Sequence, residues 1–157
     1  MADPKLPALN PQQVEVETGT IYPAPFKAHV AGRERRRLGN ALGLTNFGVN
    51  LTTLKPGANS ALRHWHAKQD EFIYVLSGQL TLVTDGGEQT LTAGMAAGFP
   101  AGKPDAHCLV NCSQQDVVYL EVGDRTPGEV VTYPDEDIVA RQVDGSLRFF
   151  HKDGTPY

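Results

Sequence analysis

No stretch of the chain approaches the roughly 18 consecutive apolar residues that a membrane-spanning helix needs. The opening Met-Ala-Asp-Pro-Lys also lacks an apolar run of signal-peptide length. Both lacks lead us to expect a soluble, cytoplasmic protein. Cysteine is scarce, with Cys108 and Cys112 the only two, four positions apart in one segment. A disulfide scaffold is excluded, and free thiols in a reducing compartment are expected. Positive charge is thin: 14 Lys and Arg stand against 18 Asp and Glu, for a net charge of -4. Neither nucleic acid nor an anionic membrane is therefore an expected partner. The one basic cluster, Arg33 to Arg37, is broken by Glu34 and reads as a solvated loop. There is no internal repeat and no low-complexity tract.

What the chain has in quantity is turn residues, 16 Gly and 11 Pro in 157 positions. That mixture favours short strands joined by tight turns over a helical bundle. The length suits one domain. We expect residues 1–18, which hold Pro4, Pro7 and Pro11, to form an extended arm. Residues 19–157 should form a barrel with a C-terminal extension. Residues 33–46 read as a connection. Strands are expected over 47–54, 61–66, 71–77, 79–84, 88–92, 95–99, 106–111 and 117–122, separated by turns such as Asp85-Gly86-Gly87 and Pro100-Ala101-Gly102. Such spacing indicates an all-β sandwich or closed barrel. A short helical turn is expected near 140–143 and one more strand over 147–150.

Between Gly57 and Asn111 lie three of the five histidines. His64 and His66 are two apart, so on a strand they share a face. Glu71 opens the next apolar run, after a segment able to make the turn. His107 follows the rigid turn at Pro100–Pro104. Three imidazoles and a carboxylate are a reasonable donor set for a borderline divalent metal. An inward Glu71 without a cation or other partner would cost several kcal/mol.

These residues carry a resemblance. Gly57, His64, His66, Glu71 and Gly78 resemble the first motif of the cupin superfamily, and Gly94, Pro100, Gly102, His107 and Asn111 resemble the second. The chain is also similar to small single-domain bacterial cupins of unassigned activity, through Gly43 to Asn50 and Tyr119 to Arg125. The resemblance implies a double-stranded β-helix (jelly-roll) barrel holding one divalent ion, iron, manganese, nickel, zinc or cobalt, on His64, His66, Glu71 and His107. It also implies a homodimer and a small-molecule substrate or ligand.

Alternation from the ligands puts Leu62, Ile73, Val75 and Leu109 on the inward face, and Arg63, Trp65, Phe72, Tyr74 and Cys108 on the other. Asn50, Thr52, Tyr119 and Glu121 are the polar groups within reach of the pocket, without parity deciding among them. An apolar wall with no second base leans towards dioxygenase-like chemistry over an isomerase or lyase, since base-driven isomerisation needs a proton carrier. The competing expectation is a barrel that binds a sugar or metabolite without turning it over.

Overall fold

A computed structural model describes residues 7–157; the first six residues of the expected arm lie outside the described residues. The strands are β1 (Glu17–Thr18), β2 (Arg33–Arg37), β3 (Phe47–Leu54), β4 (Trp65–His66), β5 (Glu71–Ser77), β6 (Gln79–Thr84), β7 (Gly87–Thr92), β8 (Ala96–Phe99), β9 (Cys108–Val110), β10 (Val117–Asp124), β11 (Val130–Tyr133), β12 (Ile138–Val143) and β13 (Ser146–Phe150). One helical turn, α1 (Leu38–Ala41), follows β2, and 3-10 turns cover Pro11–Gln13 and Ala24–Val30. Among the described residues, no helix is long and apolar enough to cross a membrane.

The strands form antiparallel sheets of six (β1-β2-β3-β10-β5-β8), four (β13-β12-β11-β4) and three (β7-β6-β9). They curl together as an all-β jelly roll. A bridge between His64 and His107 ties the start of β4 to the start of β9, so the histidines sit where two sheets meet. One core, with Leu54, Ile73, Val75, Val117 and Tyr119, fills the sheet interior. A second, with Tyr22, Leu62, Val131, Tyr133 and Ile138, lies under the four-stranded sheet.

Two motif residues have plain structural work. Gly78 links β5 to β6 with φ +84°, and a Cβ there would stand 2.6 Å from Val117 Cγ2 and 2.8 Å from the Asp116 carbonyl, so only glycine fits. Asn111 is fully buried. Its amide donates to the carbonyls of Leu54 (2.8 Å) and Gln115 (2.7 Å) and its oxygen accepts from Ser113 N–H (3.0 Å), pinning the loop between β9 and β10.

Several expectations fail. Residues 33–37 are a strand, paired from Arg33–Leu54 to Arg37–Asn50 along β3, because the arginines alternate between a cavity side and a solvent side. The expected strand over 61–66 is reduced to Trp65–His66, since 61–63 leave the ladder in a bend. Residues 140–143 belong to β12, paired with both β11 and β13. Strand β11 itself has no counterpart in the sequence reading.

Candidate metal centre

Glu71 is the first residue of β5, opposite Phe99 on β8 and Gly123 on β10. Its Oε2 lies 3.1 Å from His107 Nε2, 3.2 Å from His66 Nε2 and 3.7 Å from His64 Nε2. Donor atoms of His64, His66 and Glu71 all lie within 4.8 Å of one another. His107 joins the group through Glu71, its ring centroid 4.6 Å from that of His64 and 6.5 Å from that of His66. The four residues named from the sequence thus come together at one point.

The rings are held from behind. His64 Nδ1–H donates to the Leu62 carbonyl at 2.7 Å, which leaves the Nε2 lone pair facing Glu71. His66 Nδ1 lies 3.4 Å from Glu129 Oε2. Glu129 is buried, and its other oxygen accepts from the backbone N–H of Ala67 (2.9 Å), Lys68 (3.1 Å) and Val130 (2.8 Å). The His107 ring stacks on Phe99 at 3.5 Å with 4° between planes. Glu129 escaped the sequence reading because it belongs to neither motif and precedes a strand that was not foreseen.

The electrostatics match this geometry. Burial pushes the Glu71 carboxyl up, but hydrogen bonds from His107, His64 and His66 outweigh it and hold the group well below the usual carboxylate range. Burial lowers His66, yet Glu71 and Glu129 overcome that and raise it. His107 is lowered, chiefly by burial. A carboxylate ringed by three imidazole Nε2 atoms is a fitting donor set for a divalent ion, and it differs from the cysteine-rich, closed set of a structural zinc.

The cluster faces a cavity of about 610 Å³. Leu109 lines it, as do Asn50 and Glu121, whereas Leu62, Ile73, Val75, Thr52 and Tyr119 do not. Ile73 and Val75 do face inward, but they lie deeper along the barrel, in the dry core. Leu62 departs because the bend at 61–63 breaks strand alternation, and it packs in the second core. The wall is mixed: Arg33, Arg35 and Arg37 of β2 line it with Glu121 and Glu71, beside apolar groups such as Val131, Leu147 and Phe149. These arginines were missed by the sequence reading; their every-second-residue spacing was the available signal.

A jelly-roll barrel with a His-His-Glu cluster at its open end defines a class of small barrel proteins with a candidate metal centre. Residues 50–123 match the Cupin domain. Over 96% of both chains, at 44% identity and a TM-score of 0.92, the protein is similar to a sugar phosphate isomerase from a cupin superfamily of Silicibacter pomeroyi. It is also similar to a protein described as a candidate sugar phosphate isomerase from Acidithiobacillus ferrooxidans, at 30% identity, with 80% of each chain covered and a TM-score of 0.72. The polyketide cyclase RemF of Streptomyces resistomycificus shares the fold, at 23% identity over 83% of this chain and 86% of that one, with a TM-score of 0.66. No curated protein matches the sequence. The chain belongs to the cupin superfamily.

Proposed function

We propose that the protein is a metal-dependent isomerase acting on a small hydroxy-carbonyl compound of the sugar type. The observation that carries this reading is a second carboxylate in the cavity of the histidine cluster. On β10, Glu121 pairs with Ile73, and two residues on Gly123 pairs with Glu71, so Glu121 and Glu71 are diagonal neighbours on one face, about 7–8 Å apart. Asn50 Nδ2 donates to Glu121 Oε2 at 3.0 Å and Arg35 Nη2 to Oε1 at 3.2 Å. Isomerisation takes a proton from the carbon beside a carbonyl and returns it to the neighbouring carbon, which needs a fixed carrier. Glu121 is that carrier, and its two donors hold its oxygens towards the substrate.

His64, His66, Glu71 and His107 would hold the ion, which when bound supplies Lewis-acid polarisation of substrate oxygens. The name of the Silicibacter pomeroyi relative supports isomerase chemistry. A dioxygenase-like reading rested on the lack of a second base, and Glu121 in the cavity wall favours the isomerase over it. Two free thiols suit the reducing cytoplasm. The partner we propose is a second copy of the chain: Phe72, Tyr74 and Leu76 on the outer face of β5 are 44%, 38% and 44% exposed. A dimer in sedimentation that Phe72→Glu splits supports this; a monomeric wild type refutes it.

The test of the reaction is incubation with small aldoses, ketoses and their phosphate esters in deuterated water, followed by NMR. The expected result is an isomeric product with deuterium beside its carbonyl. Ligand-induced shifts with neither isomer nor deuterium would overturn the isomerase reading in favour of a binding barrel.

A further inference from the structure

The β2 side of the cavity has more donors than acceptors. Arg33 is buried, 7% exposed, and its guanidinium donates only to the carbonyls of Ser60 and Gly19. Among the described residues, no carboxylate lies in ion-pair contact with it. Arg35 meets one carboxylate, Glu121, and its buried Nε has no partner. Arg33 is thus left without a carboxylate, and the one that Arg35 meets is also taken by Asn50. A buried charge left in that state is strongly unfavourable unless a ligand completes it.

From this donor surplus, and resting on the isomerase reading above, we infer that Arg33 and Arg35 form an oxyanion subsite that takes a terminal phosphoryl group of the substrate. Planar guanidiniums suit phosphate oxygens through paired N–H donors. Other arginines of the lining are committed elsewhere: Arg37 pairs with Glu17 at 2.6 Å, and Arg125 donates to the Leu44 carbonyl and Asn40 Oδ1. Arg35 Nη2 reaches Glu121 Oε1 at 3.2 Å, and Glu121 is the diagonal neighbour of Glu71, about 7–8 Å away. The span from the Arg35 guanidinium to the histidine cluster is therefore of the length of a small open-chain sugar. The phosphoryl group then sits on β2, the carbonyl end lies at the histidine cluster, and Glu121 of β10 stands between them. The subsite thus selects end-phosphorylated substrates over neutral ones.

The test titrates inorganic phosphate, with acetate as the comparison anion at matched ionic strength, into the wild type, Arg35→Gln and His66→Ala, monitored by NMR. Phosphate should bind more tightly than acetate. Arg35→Gln should weaken phosphate at least about ten-fold, the loss of one charge-assisted contact, while His66→Ala leaves it unchanged, which separates this subsite from phosphate held at a metal. Arg33→Gln removes two backbone contacts and is read only if its folded spectrum is intact. Phosphate binding equal to that of acetate, or unaffected by Arg35→Gln, would overturn the subsite. The binding is read without turnover, so an Arg35-dependent phosphate site in a protein that exchanges no deuterium refutes the isomerase and keeps the subsite. Deuterium exchange with Arg35-independent phosphate binding does the reverse.

Discussion

The inner face of the six-stranded sheet is two surfaces built on the same strands. At one end Val117 pairs with Leu54 and Tyr119 with Val75, all fully buried. At the other end the same strands present Asn50, Glu121 and Glu71 to the cavity. Two residues along a strand, about 7 Å, separate a dry core from a charged site. The dry end supplies the apolar burial that holds the barrel closed. The wet end is left to spend buried polar groups on a ligand. Stability and chemistry should therefore be separable by substitution along a single strand.

Glu121→Gln keeps the shape of the wet end and removes the proton carrier. Deuterium wash-in should fall about 10²–10⁴-fold, with the melting temperature little changed; an equal loss of both would erase the division between the ends. Ile73→Ala, one pair deeper on β5, should cost about 2–5 kcal/mol in denaturant unfolding while metal stoichiometry stays at the wild-type value. Glu129→Gln acts through His66: metal affinity should weaken about 10–100-fold without loss of fold, and an unchanged affinity would show that the 3.4 Å approach to His66 orients nothing. The smallest effect is that of pH. Metal binding requires neutral imidazole, and His66 is raised because Glu71 and Glu129 favour its protonated form over the opposing effect of burial. Protons therefore displace the ion as pH falls, beginning above the ordinary histidine value of about 6.5. Metal content that stays flat from about pH 8 to 4.5 would argue against imidazole ligation.

The limits of the sequence follow from the same comparison. Two-residue spacing put His64 and His66 on one face and Glu71 at the start of the next strand, because these are local signals, and the resemblance to the cupin motifs joined His107, distant in sequence, to them. The same periodicity placed Ile73 and Val75 inward, and they are inward. It could not say how deep, since depth depends on how β5 is registered against β10 and β3. Leu62 was lost to a bend that breaks the alternation within three residues of His64. Arg33, Arg35 and Arg37 were missed for a different reason. A run of arginines reads as solvent-facing because burying charge is costly, and only the pairing with β3 shows that every second one turns into the cavity. Glu129 needed β11 to be known first.

The measurement closest to the central claim is elemental analysis of untagged protein, prepared without added metal, beside the His66→Ala variant. The account predicts about one divalent ion per chain in the wild type, as the one cluster of metal-ligating side chains among the described residues implies. It also predicts that most of this ion is lost in a variant whose barrel remains folded. Equal metal content in the two proteins would contradict the assignment of the site.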